Sequence, residues 1–184
     1  MSLKSIFLIG LFTITTNAYA LLSDRDQPIE IEADRVEVNE KKEISHYQGN
    51  VRMHQGTLKI MADEVFVYMQ EGRLDKIIIL GQPAEFEQQP ENKQDIVKSR
   101  AEHMEYFANK ELLILKRNAN IVQGGNHFSG DFIEYDTLSS TVKANKEQNS
   151  DSRVHAVIQP KTEQDAPAEE PQQPPLTPET STPP

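Results

Sequence analysis

The sequence contains no cysteine and has few basic residues for its length. No disulfide can form, so stability has to come from a hydrophobic core and from backbone pairing. The 19 Lys and Arg residues are outnumbered by 29 Asp and Glu residues, which gives a formal charge of −10. A nucleic-acid-binding protein needs a basic surface, so this charge argues against that function.

Long apolar runs are also scarce, and the one present lies at the start of the chain. Lys4, the apolar residues 6–14 and the sequence Ala-Tyr-Ala at 18–20 have the order of a secretory signal peptide. The run is too short to cross a bilayer as a helix, and no cysteine follows it that could carry a lipid anchor. We therefore expect residues 1–20 to be a signal peptide, cleaved after Ala20, and the exported chain to be soluble.

The end of the chain is rich in proline. Eight of the eleven prolines lie from Pro160 onward, among Glu, Gln and Thr residues. A segment with so few apolar side chains cannot bury enough surface to offset the entropy of ordering. We expect residues 160–184 to be a disordered tail and residues 21–159 to form one domain. Since Lys4 is the only charge in residues 1–20, the exported chain carries −11, of which the tail, with one lysine and five acids, contributes −4.

Four ten-residue segments repeat within the domain, at residues 29–38, 58–67, 97–106 and 126–135. Each contains a small residue followed by an acid: Ala33-Asp34, Ala62-Asp63, Ala101-Glu102 and Gly130-Asp131. Apolar residues alternate with period two, which indicates strands, and the alternation slips by one residue at the small–acid pair. A strand that keeps one face buried through such a slip contains a bulge or a corner. Each segment is therefore predicted to be two short strands joined by a bend.

The spacing of the repeats predicts how the strands are organised. The small residues are 29, 39 and 29 positions apart, so a larger unit recurs after 68 residues, and Asn50 matches Asn118. Short strands at fixed spacing stack into a layered β-structure with an unpaired strand edge at each end. We predict an all-β fold, an open and twisted antiparallel sheet of stacked short strands, with turns at Gly49-Asn50 and at residues 81–83.

Catalytic and metal-binding motifs are missing from the sequence. It has no nucleophile elbow, phosphate-binding loop, zinc motif or dinucleotide fingerprint, so we expect neither an enzyme nor a cofactor. His46 and His54 could face one another across a hairpin, but no third ligand stands at metal spacing. The four repeated acids could bind calcium or form a glycosidase pair. One acid at the same place in every repeat fits better with a structural role, in which the acid accepts backbone N–H bonds at the bend.

The inward apolar positions have two interpretations that the pattern alone leaves open. They could form an ordinary packed core, as in a secreted β-repeat module that binds protein without a lipid ligand. They could also line a lipid groove, because two facing apolar sheets whose edges do not close offer an apolar channel along the whole domain.

Several sequence motifs resemble those of one family. They are residues 26–34 (Asp-Gln-Pro-Ile-x-Ile-x-Ala-Asp), Gly49-Asn50-Val51 followed by residues 55–63, residues 81–86 (Gly-Gln-Pro-Ala-x-Phe), and residues 101–106 (Ala-Glu-x-Met-x-Tyr). In this order, and behind a signal peptide, they resemble the OstA-like family of periplasmic lipopolysaccharide-transport bridge proteins. The resemblance covers residues 26–159.

This resemblance implies a fold, a role and partners. The fold is an open, twisted β-jellyroll, and the role is to carry lipopolysaccharide across the periplasm between an inner-membrane extractor and an outer-membrane translocon. Jellyroll domains of the partners are joined end to end by strand pairing, and the same pairing allows a homo-oligomer. The groove would be lined by Ile29, Ile31, Val36, Val38, Leu58, Ile60, Val65, Val67, Phe86, Met104, Tyr106, Leu115, Phe128 and Ile133.

The two docking edges are assigned to the ends of the domain. The N-terminal edge is expected within residues 28–38, including Pro28, Ile29 and Ile31, because a proline at the start of a strand suits an edge. The C-terminal edge is expected within residues 154–158, including Val154, Val157 and Ile158.

Overall fold

A computed structural model describes residues 24–90, 94–146 and 152–160. The expected signal peptide and all but the first residue of the expected tail lie outside the described residues. The ten strands are β1 Glu30–Glu32, β2 Arg35–Asn39, β3 Ile44–Gln55, β4 Leu58–Gln70, β5 Arg73–Gln88, β6 Val97–Phe107, β7 Leu112–Gln123, β8 Asn126–Asp136, β9 Thr141–Asn145 and β10 His155–Val157. The described residues also contain three short 3-10 helices, at Asp24–Asp26, Glu40–Lys42 and Ala108–Lys110. No helix within these described ranges is long and apolar enough to cross a membrane.

All ten strands belong to one antiparallel sheet. Its order is β1-β3-β4-β5-β6-β7-β8-β10, and β2 also pairs with β3 while β9 also pairs with β8. Consecutive strands from β3 to β8 are therefore all neighbours in the sheet. The all-β prediction and the antiparallel, open sheet are confirmed.

Each long strand, from β3 to β8, changes its pairing register near the middle. The breaks fall at residues 48–51 in β3, 61–64 in β4, 80–84 in β5, 100–103 in β6, 116–119 in β7 and 130–132 in β8. The small–acid pairs at 62–63, 101–102 and 130–131 lie in these breaks, and Ala33-Asp34 separates β1 from β2. The strands therefore bend at the corners that were predicted from the one-residue slip in the alternation.

The row of corners divides the sheet into two layers. Layer 1 contains β1, β10 and residues 51–55, 58–62, 84–88, 97–101, 119–123 and 126–130 of the long strands. Layer 2 contains β2, β9 and residues 44–48, 64–70, 73–80, 103–107, 112–116 and 132–136. The layers fold toward each other. This is shown by the contact of Phe86 in layer 1 with Tyr106 in layer 2, whose ring centroids are 5.4 Å apart.

Two predicted turns are corners within continuous strands. Gly49-Asn50 lies inside β3, and residues 81–83 lie inside β5. Positive φ angles at Gly49 (79°) and Asn50 (47°) shift the side-chain alternation while the strand continues on the other side. The prediction of turns was wrong here because glycine and asparagine supply the same backbone angles to a turn and to a bulge.

Two of the four repeated acids, Asp34 and Glu102, hold neighbouring corners together. Asp34 accepts a hydrogen bond from Asn50 Nδ2 at 2.8 Å, and Glu102 accepts bonds from Asn118 Nδ2 at 2.5 Å and Arg117 Nε at 3.0 Å. Asn50 and Asn118, the residues 68 positions apart that the repeat matched, thus have the same role. These carboxylates bond to side-chain amides and a guanidinium of the next strand, whereas we expected backbone N–H donors.

Candidate functional site

Three continuous columns of inward side chains run across the layers from one edge of the sheet to the other. In layer 2, one column follows Val36, Tyr47, Val65, Ile79, Met104, Leu115, Ile133 and Ala144. A second follows Val38, Ser45, Val67, Ile77, Tyr106, Leu113, Tyr135 and Val142. In layer 1, the third follows Ile31, Met53, Ile60, Phe86, Ser99, Ile121, Phe128 and Ala156. Each column has eight residues, one for every strand in its layer.

Most of the residues predicted to line the groove lie in this interior. Nine of them are at most 3 % exposed: Leu58, Ile60, Val65, Val67, Phe86, Met104, Tyr106, Leu115 and Ile133. Ile29, Ile31 and Phe128 are partly buried and pack against this core. The structure therefore brings twelve of the fourteen residues together between the layers.

Val36 and Val38 differ from the other predicted residues. They are 54 % and 58 % exposed, although each begins a layer 2 column. Their strand, β2, pairs with β3 on one side only among the described strands. They are exposed because the columns reach the free edge of the sheet there.

The sequence analysis missed several interior residues. Val51, Met53, Ile77, Ile79, Leu113 and Ile121 are at most 2 % exposed. Most of them lie on strands between the four repeat segments, where the aligned repeats gave no inward face. Alternation within residues 51–54 (Val-Arg-Met-His) is the signal that could have identified Val51 and Met53, whereas the continuous apolar runs at 77–80 and 112–115 do not distinguish an inward from an outward face.

The interior between the layers is closed and strongly desolvated. Beside the Phe86 contact, Gln88 Nε2 in layer 1 lies 3.5 Å from Tyr106 Oη in layer 2. Burial raises the pKa of Tyr106 to about 12, and the nearby carboxylate of Glu111 adds to this increase. An apolar ligand could enter this interior only if the two layers separate.

The edges of the sheet lie where the sequence analysis assigned docking. Ile31 belongs to β1 and Val157 to β10, while Pro28 and Ile29 directly precede β1. Val154 and Ile158 flank β10 and are 42 % and 69 % exposed. The analysis missed β9, which forms the layer 2 edge at this end, because the repeat pattern fades after residue 135.

The histidines are placed differently from the hairpin arrangement that we considered. His46 and His54 lie on the same strand, β3, in different layers. The His46 ring stacks on Phe66 with centroids 4.0 Å apart, and its Nε2 is 2.5 Å from Glu64 Oε1. Within the described ranges, no group of three His, Cys, Asp or Glu side chains could hold a metal ion.

Comparison with known proteins identifies the family. Residues 30–141 match the family described as LptA/(LptD N-terminal domain) LPS transport protein. The chain belongs to this lipopolysaccharide-transport family. The match spans β1 to the start of β9 and so includes the corners and most of the columns.

Relatives of this transport family cover most of the chain. Lipopolysaccharide export system protein LptH of Pseudomonas aeruginosa is 34 % identical over 150 residues, which are 78 % of this chain and 86 % of LptH. Lipopolysaccharide export system protein LptA of Escherichia coli K12 is 32 % identical over 167 residues, covering 90 % of this chain and 89 % of LptA. The family is one of non-enzymatic transport proteins, which agrees with the absence of catalytic motifs.

A solved structure in the LptA/LptD family has the same fold. The crystal structure of LptH from Pseudomonas aeruginosa, the periplasmic LptA homologue of that organism's lipopolysaccharide transport device, aligns with a TM-score of 0.68 and 32 % identity. The alignment covers 76 % of this chain and all of that chain. The predicted OstA-like jellyroll is therefore confirmed.

Proposed function

We propose that this protein carries lipopolysaccharide across the periplasm by holding the lipid A acyl chains between its two layers. The observation that carries the proposal is the three columns, which offer an inward, largely apolar surface from one free edge of the sheet to the other. Family membership supports the substrate, since the relatives are lipopolysaccharide export proteins.

The binding energy would come from the acyl chains. Each buried methylene contributes ~0.8 kcal/mol, so one acyl chain gains on the order of 10 kcal/mol on leaving water. The chain has a formal charge of −10, and lipopolysaccharide head groups are also anionic, so electrostatic repulsion opposes binding. The head group therefore stays outside in water while the acyl chains are shielded.

Lipid entry requires the packed layers to part. Phe86 and Tyr106 close the interior from opposite layers. Parting about the row of corners would exchange contacts between the layers for contacts with acyl chains, and the strand pairing within each layer would be kept. The protein supplies no energy in this scheme, and the direction of transport comes from its partners.

The free edges suit a bridge between membranes. In layer 1, β1 and β10 each leave one side unpaired among the described strands, and β2 and β9 do so in layer 2. A jellyroll of an inner-membrane partner, the outer-membrane translocon, or a second copy could add strands there and prolong the columns. In support, LPS-assembly protein LptD of Haemophilus ducreyi is 43 % identical over 56 residues, 30 % of this chain and 7 % of LptD.

Native mass spectrometry after incubation with purified lipopolysaccharide tests this function with a matched pair of variants. Phe128→Gln places an amide in the partly buried end of the layer 1 column, and His127→Gln makes the adjacent change on the opposite face of β8. We expect lipid adducts on the wild type and on His127→Gln, and about a tenfold loss on Phe128→Gln because a polar group is left without a partner beside the acyl chains.

Circular dichroism melts of both variants check that the fold is kept. Failure of the wild-type chain to retain lipid would contradict the proposal and favour the alternative, a β-repeat module that binds only protein.

A further inference from the structure

The segment that precedes β1 crosses the open side of the two layers. We call residues 24–27 the strap, and we call the side opposite the corners the mouth. The mouth lies between the ends of layer 1, at the β3–β4 turn and residue 88, and the ends of layer 2, at the β4–β5 turn and the Ala108–Lys110 helix. The strap hydrogen-bonds to main-chain atoms at both of these rims.

The strap is held firmly on layer 1. Asp24 accepts a hydrogen bond from the Thr57 backbone N–H at 2.7 Å and from Thr57 Oγ1 at 2.5 Å. Gln55 Nε2 donates to the main-chain oxygens of Gln27 at 3.0 Å and Arg25 at 3.4 Å. Gly56 leaves room for this arrangement, since a Cβ there would lie 2.2 Å from Asp24 Oδ1. These contacts fix the strap to the β3–β4 turn.

On layer 2 the strap is held by one side chain. The Arg25 guanidinium donates to the main-chain oxygen of Ala108 and to the carboxylate of Glu111, 83 and 86 residues further along the chain. The Arg25 side chain remains 46 % exposed. Exposed ion pairs are weak, and this side chain makes two bonds to layer 2 whereas four hydrogen bonds hold the strap on layer 1.

The Arg25 contact lies in front of the interior. Directly behind it are Tyr106 and Gln88, which are 3 % and 6 % exposed and meet across the layers. The charges of Glu111, Arg25 and Asp24 all act on the pKa of Tyr106, which shows how near the strap is to the interior. On its other side, Arg25 borders a cavity of about 600 Å³ beside the β4–β5 turn. Release of Arg25 would join this cavity to the mouth.

We propose that the strap controls lipid entry at the mouth, with Arg25 as the positioning residue that holds the layers together until lipid arrives. The inference rests on the proposed function, because it names the side by which acyl chains enter. When Arg25 leaves Ala108 and Glu111, the strap stays on layer 1 and the layers part about the corners. The strap thus sets the rate of lipid uptake and leaves the apolar columns unchanged.

The first test measures the uptake of fluorescently labelled lipopolysaccharide by stopped-flow anisotropy. Arg25→Ala is expected to raise the uptake rate about fivefold, the range for loss of an exposed ion pair with an added hydrogen bond. Arg100→Ala is the control, because Arg100 forms a similar exposed ion pair with Glu85 at 2.8 Å on the outer face of layer 1. Arg100→Ala should leave the rate unchanged, and equal rates in both variants and the wild type would overturn the proposal.

The second test tethers the strap, using the absence of native cysteines. A short bismaleimide joins Arg25→Cys to Asn109→Cys across the mouth, and in the control it joins Glu85→Cys to Arg100→Cys, which are paired on the outer face of layer 1. We expect at least a tenfold slower uptake with the tether across the mouth and wild-type uptake with the control tether. The same rate with both tethers would contradict the gating role. If the untethered wild type takes up no lipopolysaccharide at all, the proposed function itself fails.

Discussion

At the residue scale, the corners depend on a few side chains with matched roles. Asn50 and Asn118 both have positive φ angles, 47° and 51°, and both donate to the carboxylate of the preceding corner. Asparagine tolerates these angles better than most residues and supplies an amide at the same time. The acids that first suggested a catalytic or calcium site therefore stabilise the bends that bring the apolar faces together.

The phenol of Tyr106 makes stability sensitive to alkaline pH. Its pKa is about 12 in the folded protein, above the usual value of 10, because burial disfavours the phenolate. The folded state thus binds the proton more tightly, so its stability is complete below pH 10 and decreases as the pH rises toward 12. We expect a loss of roughly 3 kcal/mol in the free energy of unfolding over this window.

Urea denaturation of the wild type and of Tyr106→Phe, at several pH values from about 9 to about 12, measures this loss. The phenylalanine variant should lack the contribution of Tyr106 to this pH dependence. Burial also raises the pKa of Tyr135, but Tyr135 is present in both proteins, so its contribution cancels in the comparison. The same pH dependence in both proteins would show that the phenol is not buried as described.

At the element scale, a single column passes from the free edge to the centre of the sheet. Val36 and Val65 stand in the same layer 2 column, but Val36 is 54 % exposed and Val65 is fully buried. We expect Val65→Ala to lower the free energy of unfolding by about 2 kcal/mol, through lost burial and a cavity. Val36→Ala should lower it by less than about 0.5 kcal/mol. Urea denaturation checks both values, and similar losses would contradict an open edge at β2.

The sequence predicted the strands and corners better than it predicted their continuity. The one-residue slip in the alternation located the bends at Ala62, Ala101 and Gly130, because alternation depends only on which side chains are buried. It could not show that β5 continues through residues 81–83, since the same residues occur in turns. The strand β9 escaped notice because its five residues carry only two apolar positions, Val142 and Ala144.

At the scale of the whole molecule, the sequence predicted fourteen lining residues to face the interior, and twelve of them do. The other two, Val36 and Val38, are exposed, and the sequence pattern of a single chain could not predict this. They belong to an edge strand, and what covers them depends on whether another sheet pairs there. The sequence also could not predict that the interior is closed, because alternation indicates which faces are apolar but not how closely the two layers approach.

End-to-end association is expected to depend on the backbone at the C-terminal edge. The Gln159 N–H donates to Asn126 Oδ1 on the β8 side at 3.0 Å, so strand alternation directs the Ile158 N–H away from the sheet. Ile158→Pro removes that outward donor and should abolish concentration-dependent oligomers, whereas Ile158→Ala keeps the donor and should retain most of them. Sedimentation velocity over a range of concentrations measures this, and oligomers that survive the proline would exclude this edge.

The most direct test of acyl chains between the layers is photo-crosslinking of lipopolysaccharide from two neighbouring positions. Phe86 faces the interior and is 1 % exposed, while Glu85 precedes it on the opposite face of β5. With a photoreactive phenylalanine analogue at each position in turn, we expect lipid adducts from position 86 and few or none from position 85. Equal labelling at both positions, or labelling only at 85, would contradict the binding of acyl chains between the layers.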